Sequence, residues 1–382
     1  MYDLIVVGAG IVGTFHAYFA TKKGLKVLLI EKDQRPRQAT VRNFGQVVPS
    51  GMSSSWFHFA LRGVEEYSSI QNKFDISIRN NGSVYIASNE SEQQLIHELH
   101  QVMQQRDYPS VLMSQSECIK KWPALKTDYC KEAIFFPAEL SAEPEFLIHR
   151  LLEFMIRTEQ NFTYMPATTV VACENTTAGT KIFTNKQTLH EAKKTVVCNG
   201  GEFRLLFPDL FANSGIVMSK LQMMRTQVLP TVNLGGNILT GLTIRRYESF
   251  QELPSFKSIK TPDELAELKK WGIHILFKQA IDRSIIIGDS HEYASVTESD
   301  DLGFTQKEYI NQLMLAEAQR IVAFDVRQIA QTWSGFYPQH PEKDIVEIDI
   351  EDNIHIRTAI GGKGMTSGAG YAEASLYKIF NK

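Results

Sequence analysis

The sequence predicts a Rossmann-like α/β domain combined with an α+β domain whose sheet is mixed and largely antiparallel. Three observations support this fold class. A short apolar strand runs into a glycine-rich turn at the N-terminus, short strand patterns follow one another in the middle, and an α/β pattern returns near the C-terminus. With 382 residues, of which 43% are hydrophobic and 22% charged, the chain is long enough for two globular domains.

Composition excludes several classes of protein. The net charge of −3 lacks the basic excess of a dedicated nucleic-acid-binding protein. No uninterrupted apolar run is long enough to cross a bilayer, so no transmembrane anchor is expected. The four cysteines are scattered without zinc-ligand spacing, and no basic stretch precedes an apolar one at the N-terminus. We therefore expect reduced thiols, no metal site, no signal peptide and a cytoplasmic protein.

The first element is a strand, turn and helix that together form a phosphate-binding pattern. Asp3 to Val7 is an apolar run typical of a strand covered on both faces, and a glycine-rich turn follows it directly. Gly8 permits the tight turn, Gly10 lets a pyrophosphate approach the backbone, and Gly13 lets the helix lie close to the sheet. Free amides and the helix dipole at this end favour a bound phosphate.

A second strand and an acidic residue complete this pattern. Helical spacing continues to Lys23, Gly24 ends the helix, and residues 25–30 form the next buried strand. Glu31 follows, where a carboxylate accepts hydrogen bonds from ribose hydroxyls and repels a 2′-phosphate. The arrangement predicts a dinucleotide site that disfavours NADP, and by itself it does not separate FAD from NAD.

The pattern of predicted helices and strands changes twice along the rest of the chain. A buried strand at 195–198 ends in Asn199-Gly200-Gly201, after which short strands are predicted at 219–229, 237–246, 273–277 and 284–289. The α/β pattern returns at 354–360, and a glycine-rich loop at 361–370 feeds a final helix. This predicts a discontinuous nucleotide-binding domain of residues 1–81, 143–215 and 331–382, and a substrate-binding domain of residues 82–142 and 216–330; the resemblance described next implies that the nucleotide is FAD.

These pieces together resemble the FAD-dependent D-amino-acid oxidase superfamily, which includes sarcosine oxidase, glycine oxidase and bacterial D-amino-acid dehydrogenase. The matching segments are 8–31, 40–51, 196–201, 333–338 and 361–370. The resemblance implies an extended FAD whose pyrophosphate lies at the first helix and whose isoalloxazine ring lies between the two domains. It also implies that amides of the 361–370 loop face the N1/C2=O edge of the flavin, where negative charge develops.

Four further segments resemble a bacterial subgroup associated with phosphonate breakdown. They are 42–45, 220–226, 241–250 and 287–293. The substrates that this narrower resemblance implies are 2-aminoethylphosphonate derivatives, including N-methylated ones.

The resemblance implies a set of cofactor-binding residues. They are Gly8, Gly10, Ile11, Val12, Gly13, Glu31, Lys32, Asn43, Gly45, Gln46, Asn199, Gly200, Gly201, Trp333, Gly335, Gly362, Lys363, Gly364, Met365 and Thr366. Sarcosine oxidases hold their flavin through a cysteine where this chain has the run Gly335 to Tyr337, so FAD is expected to be non-covalent. A substrate-carboxylate lysine of that branch falls at Thr366, which puts a sarcosine-like carboxylate clamp in doubt.

Flavin-dependent amine oxidation needs orientation of the substrate more than acid–base machinery. Candidate anion-binding cations are Arg42 in the segment that wraps the flavin, Lys363 in the glycine loop, and one of Arg245 and Arg246. The two adjacent arginines lie in a predicted strand and should face opposite sides of it. His291, at a strand end, is a candidate acceptor of the amine proton.

Gln222, Tyr247 and Tyr337 complete the substrate candidates, while Arg42, His291 and Lys363 are the predicted catalytic residues. Each has an ordinary structural alternative, such as a solvated arginine, a surface histidine or an aromatic core residue. The expected function is oxidation of the C–N bond of a small anionic amino compound by hydride transfer to flavin N5. The alternatives are a FAD-dependent 2-hydroxy acid dehydrogenase and a non-catalytic dinucleotide-binding protein. The expected partners are a small amino substrate and an electron acceptor that is oxygen, a quinone or a carrier.

Overall fold

A computed structural model of the chain describes residues 1–381 as three sheets with helices packed around them. The strands are β1 Tyr2–Val7, β2 Val27–Ile30, β3 Gln46–Val47, β4 Ile78–Asn80, β5 Ser83–Ala87, β6 Val111–Ser114, β7 Glu132–Phe136, β8 Leu140–Ala142, β9 Phe162–Met165, β10 Val170–Thr176, β11 Gly179–Thr184, β12 Leu189–Val197, β13 Val217–Thr226, β14 Asn237–Leu239, β15 Leu276–Gln279, β16 Ile285–Gly288, β17 Glu292–Ser295, β18 Ile329–Gln339, β19 Val346–Ile350 and β20 Ile354–Thr358. The α-helices are α1 Ile11–Lys22, α2 Ala39–Arg42, α3 Phe57–Gln71, α4 Glu90–Gln105, α5 Gln115–Lys121, α6 Pro144–Thr158, α7 Pro208–Ala212, α8 Gly241–Ile244, α9 Glu248–Gln251, α10 Ala266–Lys270, α11 Ser299–Phe304, α12 Glu308–Ile321 and α13 Gly364–Phe380.

The first sheet confirms the Rossmann-like half of the prediction. Its strands run in the order β10-β11-β12-β1-β2-β9, and β20 pairs with both β12 and β19. The pairs β1–β2, β1–β12, β2–β9 and β12–β20 are parallel. Leu4, Val6 and Leu29 share one buried cluster with Phe15 of α1 and Ala369 of α13. The strands read as apolar runs because helices cover this face of the sheet.

The second sheet is mixed and largely antiparallel, as predicted. Its order is β17-β13-β16-β15-β14-β5-β7-β6, with β18 lying along β13. Only the β14–β5 pair is parallel among its pairs within residues 1–381. The register of β18 places Tyr337 opposite Ser219 and Trp333 opposite Met223. Residues 331–339 therefore lie in this sheet, although the sequence-based division placed them in the other domain.

A small third sheet, β3-β8-β4, joins the other two regions. The fully buried Lys278 of β15 donates from Nζ to the carbonyl oxygen of Ala142 in β8. Glu143 lies 3.7 Å from the same ammonium and also pairs with Arg79. This contact fixes the second sheet against the segment that contains Gly45, where an added Cβ would lie 2.8 Å from Lys278 Nζ.

The predicted strand over 237–246 is wrong beyond its first three residues. β14 ends at Leu239, and Gly241–Ile244 form one helical turn, α8. The chain turns here because Thr240 O accepts hydrogen bonds from the backbone amides three and four residues later, Thr243 N at 2.8 Å and Ile244 N at 3.2 Å. Gly241 packs against α4, since an added Cβ would lie 2.3 Å from Glu92 Oε2. The alternation argument for the two arginines therefore fails.

Within residues 1–381, no helix combines the length and the apolar character needed to cross a membrane.

Candidate functional site

A cavity of about 580 Å³ lies where the start of α1, the segment 39–52, the second sheet and the start of α13 meet. A smaller cavity of about 120 Å³ adjoins it at the C-terminal ends of β1, β2 and β12. Both are lined by Gly10, Ala39, Thr40, Cys198 and Gly200. The two cavities thus form one elongated depression, which suits an extended ligand.

The turn between β1 and α1 depends on close backbone approach. Gly8 has a φ of +99°, and a Cβ there would lie 2.3 Å from the carbonyl oxygen of Cys198. A Cβ on Gly13 would lie 2.0 Å from the carbonyl oxygen of Gly8. A Cβ on Gly10 would meet only Thr40 Oγ1, at 3.4 Å, so the space beside this glycine belongs to the cavity. An anion at this helix N-terminus would have favourable backbone electrostatics.

Glu31, directly after β2, is held in place beside the smaller cavity. Its Oε2 accepts a hydrogen bond from Ala9 N at 2.9 Å, and its Oε1 accepts one from Asp33 N at 3.0 Å. Lys32 Nζ pairs with Asp33 at 2.9 Å rather than with Glu31. Each carboxylate oxygen of Glu31 retains a second lone pair, with which it can accept a ligand hydroxyl.

The segment after α2 folds around its own asparagine. Asn43 Nδ2 donates to the carbonyl oxygens of Ala39 and Thr40, at 3.1 and 2.6 Å, and its Oδ1 accepts a hydrogen bond from Gly45 N at 2.7 Å. Gln46 follows and lines the larger cavity, where its buried Nε2 has no hydrogen-bond partner. Buried amides normally have such partners. A polar group of a bound ligand would satisfy this one.

The glycine-rich segment 361–370 is mostly helix rather than the predicted loop. Gly361–Lys363 form a 3₁₀ turn, and α13 begins at Gly364. The glycines within the helix serve its packing, since a Cβ on Gly370 would lie 2.3 Å from the carbonyl oxygen of Phe59 in α3. The start of α13 lines the larger cavity, which keeps the predicted arrangement of a helix N-terminus beside the ligand.

All but one of the sequence-predicted cofactor residues line one of the two cavities. The larger cavity is lined by Gly10, Ile11, Val12, Gly13, Asn43, Gly45, Gln46, Gly200, Gly335, Gly362, Lys363, Gly364, Met365 and Thr366. The smaller one is lined by Gly8, Gly10, Glu31, Lys32, Asn199, Gly200 and Gly201. Trp333 lines neither, but its Nε1 donates to the carbonyl oxygen of Arg42 at 3.2 Å and so supports the wrapping segment.

Two of the predicted anion-binding cations line the cavity with partners of their own. Arg42 donates through Nε and Nη1 to two backbone carbonyl oxygens, at 2.9 and 3.2 Å, the second being that of Ser334. Lys363 Nζ lies 2.7 Å from a carboxylate oxygen of Glu248 and 3.1 Å from one of Asp344. Both cations therefore hold the walls of the cavity together.

The adjacent arginines have different environments, although not for the predicted reason. Arg245 points away from the cavity, where its Nε lies 2.7 Å from Glu92 Oε1 in a nearly buried ion pair. Arg246 lines the cavity, and its Nη2 donates to the hydroxyl of Tyr293 at 3.1 Å. The one-turn helix α8, rather than strand alternation, separates the two side chains. Tyr247 also lines the cavity.

Gln222, the remaining substrate candidate on β13, lies outside the cavity. Its Nε2 donates to Asn311 Oδ1 at 2.8 Å and to the carbonyl oxygen of Lys307 at 3.0 Å, and its Oε1 accepts a hydrogen bond from Lys307 N at 2.9 Å. These bonds fasten the start of α12 to the sheet. Its neighbour Leu221 faces the cavity instead, as strand alternation requires.

His291 and Tyr337 belong to a buried polar cluster on the cavity wall. His291 Nδ1 donates to the carbonyl oxygen of Gly272 at 3.1 Å, and its Nε2 accepts from the Tyr337 hydroxyl at 3.0 Å. Asp289 Oδ1 lies 3.8 Å from His291 Nδ1 and 2.9 Å from His274 Nε2. Burial lowers the pKa of His291 to about 3, so this imidazole stays neutral. This low pKa argues against His291 as the acceptor of the substrate's amine proton.

Sequence reasoning missed His274 and Asp289, which both line the larger cavity. A usable signal was present in each case, because His274 interrupts an apolar run and Asp289 ends another, in segments predicted as strands. Burial alone would raise the pKa of Asp289, but the two neighbouring histidines and Arg246 outweigh it and hold that pKa below its ordinary value. Asp289 is therefore a buried carboxylate in its charged form.

The same cluster contains the residue types that bind metals. Ligand atoms of His274, Asp289 and His291 lie within 4.8 Å of one another, and zinc or iron accepts such a set. Both ring nitrogens of His291 have protein partners, however, namely Gly272 and Tyr337. This arrangement favours a hydrogen-bonded cluster over a metal centre.

Known proteins share this fold and its sequence pattern. N-methyl-L-tryptophan oxidase from Yersinia pestis (strain Pestoides F) is 25% identical over 213 residues, which are 55% of this chain and 56% of the relative. The chain thus spans about half the length of the curated relatives it matches. Glycine oxidase from Geobacillus kaustophilus superposes with a TM-score of 0.76 at 16% identity, covering 99% of this chain and 94% of that one.

A second solved structure gives the same result. L-proline dehydrogenase from P. horikoshii superposes with a TM-score of 0.77 at 17% identity and covers 99% of this chain and 93% of its own. At such identities the likeness shows the fold. The sequence pattern described as DAO, FAD dependent oxidoreductase, matches residues 3–377. The chain therefore belongs to the DAO family of FAD-dependent oxidoreductases.

Proposed function

We propose that this chain oxidises the C–N bond of a small amino compound that carries an anionic group, with FAD as its cofactor. The observation that carries the proposal is that the Arg246 side chain lies at the cavity without a carboxylate partner among the described residues. Among residues 1–381, its guanidinium lines the cavity, donates to the Tyr293 hydroxyl at 3.1 Å and has no carboxylate oxygen within 4.0 Å. Asp289 acts on Arg246 from beyond ion-pair distance, so this partly desolvated guanidinium keeps donors that can bind a carboxylate or a phosphonate.

The other cations at the cavity support this assignment by contrast. Arg42 is bonded to backbone carbonyls, Lys363 is shared between two carboxylates, and Arg245 is paired with Glu92 outside the cavity. An anionic substrate would have to compete with these partners. At Arg246 an anionic substrate would not have to displace a carboxylate from an ion pair.

The elongated depression fits FAD in several respects. The open space beside Gly10 would take the pyrophosphate, and Glu31 would accept hydrogen bonds from the ribose. The unpartnered Gln46 Nε2 and Asn199 Oδ1 line the depression and would bond polar groups of the cofactor. When bound there, FAD supplies the two-electron acceptor of the reaction. The start of α13 would lie beside the flavin ring.

We further propose that the FAD is held without a covalent bond. Cys198 is the one cysteine that lines either cavity within residues 1–381. It is buried, and burial raises the pKa of its thiol to about 12, which keeps it protonated and unreactive. Acid precipitation should therefore release the yellow colour into the supernatant.

The proposed substrate class is amino acids and aminophosphonates, including N-methylated ones. A phosphonate offers several oxygens to the forked guanidinium of Arg246. The name of the Yersinia relative indicates an N-methylated amino acid, which supports oxidation at a secondary amine. Bound FAD would accept, at flavin N5, the hydride that leaves the carbon next to nitrogen in the proposed reaction. The substrate departs as an imine, which water hydrolyses.

Anaerobic reduction of the bound flavin tests this function. The panel comprises 2-aminoethylphosphonate, its N-methyl form, D-amino acids, sarcosine and 2-hydroxyglutarate. We expect at least one anionic amine to bleach the flavin. Bleaching by 2-hydroxyglutarate alone would instead indicate a hydroxy acid dehydrogenase, and FAD that no compound bleaches would indicate a non-catalytic protein. Reoxidation in air, compared with reoxidation by a quinone, then identifies the electron acceptor.

A further inference from the structure

We propose that Asp289 is the residue that recognises the substrate nitrogen and makes the cavity select an amine over a hydroxyl compound of the same shape. This inference rests on the proposed function and specifies its substrate class. Together with Arg246, Asp289 would give the cavity one positive and one negative pole. That charge pattern complements a substrate with an anion at one end and an ammonium at the other.

The first step is the position of Asp289. It follows β16 directly and lies opposite His274, with which it exchanges two backbone hydrogen bonds, from His274 N to Asp289 O at 3.1 Å and from Asp289 N to His274 O at 3.0 Å. Both side chains line the larger cavity. A group held at the end of two paired strands has a well-defined position, which recognition of a small molecule needs.

The second step is the free capacity of the carboxylate. Asp289 is only 7% exposed, and its Oδ1 is buried without a hydrogen-bond partner. His274 Nε2 lies 2.9 Å from Oδ1 and interacts with the carboxylate, which keeps further lone pairs that a ligand can use. A buried carboxylate oxygen without a donor is costly. An N–H group of a bound substrate would remove that cost.

The third step is the charge that surrounds Asp289. Within residues 1–381, no lysine or arginine nitrogen lies within 4.0 Å of its carboxylate. The neighbouring imidazoles of His274 and His291 are buried, and burial lowers the pKa of each below its ordinary value. Arg246 and the two imidazoles act on this charge and keep the carboxyl ionised, but in the described part of the chain no lysine or arginine forms an ion pair with it. An ammonium group is the ligand that supplies both the charge and the donors.

A hydroxyl group satisfies this site less well. It donates one hydrogen bond and carries no charge, whereas an ammonium donates up to three and carries a full positive charge. The same carboxylate can also accept an N–H hydrogen bond from the neutral amine form of the substrate, which is the form that oxidation requires. Asp289 therefore discriminates at the binding stage without having to act as an acid or a base.

The test compares two ligands of which one carries an amino group and the other a hydroxyl group at the same carbon. Holoenzyme is titrated with 2-aminoethylphosphonate and with 2-hydroxyethylphosphonate, by calorimetry and by the change in flavin absorbance without turnover. Because both ligands carry the phosphonate, the contribution of Arg246 cancels in their ratio. We expect wild type to bind the amine about ten- to a hundredfold more tightly. We expect Asp289→Asn to reduce that ratio to within about threefold of unity.

Asp282→Asn is the matched control. Asp282 lies in the turn between β15 and β16, where Oδ1 accepts hydrogen bonds from Ser284, and it does not line either cavity. It should leave the ratio unchanged. Should Asp289→Asn not retain flavin, Asp289→Ser provides the second variant with the charge removed.

Three results would overturn the inference. The first is equal affinity of the wild-type protein for the two ligands, which would refute the inference before any variant is measured. Asp289→Asn that keeps the wild-type ratio would do so as well. The third is an increase in the affinity for the hydroxyl ligand when zinc is added, reversed by EDTA. Asp289 would then be a metal ligand. The proposed function fails separately, when amines bind preferentially but none reduces the flavin.

Discussion

His274 and Asp289 face each other where β15 and β16 meet the cavity, and His274 Nε2 lies 2.9 Å from Asp289 Oδ1. The two residues also exchange both backbone hydrogen bonds. Their side chains are therefore positioned by the sheet rather than by a loop. Arg246 reaches the same cavity from the end of α8. The polar groups that we propose to contact a substrate thus come from two elements: the paired ends of β15 and β16, and the segment that follows α8.

Replacement of Arg246 should weaken binding of anionic amines. We expect Arg246→Met to raise the dissociation constant of such a ligand about ten- to a hundredfold, because a charge-assisted hydrogen bond is lost. Arg246→Lys should lie between the two, since it keeps the charge without the fork. Flavin absorbance titration gives the constants. Arg327→Met, at an exposed arginine paired with Asp325, is the control and should bind as wild type. Equal affinities for wild type and Arg246→Met would refute the assignment.

Gly10→Ala should separate cofactor binding from folding. Gly10 has an ordinary extended backbone, and an added Cβ would meet only Thr40 Oγ1 at 3.4 Å, so the protein should fold normally. The same methyl group would occupy the approach to the pyrophosphate. We expect at least a tenfold loss of FAD affinity, measured by titration of deflavinated protein. Gly303→Ala, where a Cβ meets nothing within 4 Å, is the control. Undiminished FAD affinity in Gly10→Ala would place the pyrophosphate elsewhere.

The Arg245–Glu92 pair should contribute to stability and not to substrate binding. Glu92 is only 1% exposed and also accepts hydrogen bonds from Ser88. Removing one partner of a buried pair leaves an uncompensated charge, so Arg245→Met should lower the free energy of unfolding by about 3–5 kcal/mol in urea titrations. Glu153→Gln, at an exposed pair with Arg157, should cost less than about 1 kcal/mol. Equal effects of the two changes would contradict this interpretation.

Glu139 should make stability depend on pH. Burial raises the pKa of this carboxyl from 4.5 to about 7, and its Oε2 has no hydrogen-bond partner. Because the folded protein holds the proton more tightly than the unfolded chain, the stabilising contribution is complete below pH 4.5. It is lost as the pH rises to 7, and amounts to roughly 3 kcal/mol.

Urea unfolding of wild type and Glu139→Gln across this range measures the effect. We expect wild type to lose stability relative to the variant between pH 4.5 and 7, and the difference to stay constant above pH 8. Parallel profiles throughout the range would show that the carboxyl is not protonated in the folded protein.

The structure of the first turn could be predicted because the residues that form it lie close together in the sequence. Gly8, Gly10, Gly13 and Glu31 each occupy the position that a strand, turn and helix demand, so local spacing was sufficient. In the structure these four residues line the two cavities, and Glu31 is held in place by a hydrogen bond from Ala9 N. The antiparallel character of the second sheet followed from its short, separated strand patterns in the same way.

The wall of the larger cavity that contains Arg246, His274 and Asp289 could not be predicted in detail, because residues far apart in the sequence form it. The apolar and β-branched residues of 241–244 favoured a strand, but packing of Gly241 against Glu92 requires a turn there. Because this segment is a helical turn and not a strand, Arg245 contacts Glu92 and Arg246 lies at the cavity. Asp289 meets His274 only through strand pairing, which the sequence does not specify. Long-range contacts thus decide which of several similar polar residues reaches the site.

A crystal structure of the FAD holoenzyme with 2-aminoethylphosphonate, prepared anaerobically with reduced flavin, tests the central claim most directly. Our account predicts phosphonate oxygens within hydrogen-bond distance of the Arg246 guanidinium, and the amine nitrogen within hydrogen-bond distance of the Asp289 carboxylate. A phosphonate bound at Lys363 with its amine remote from Asp289 would contradict it.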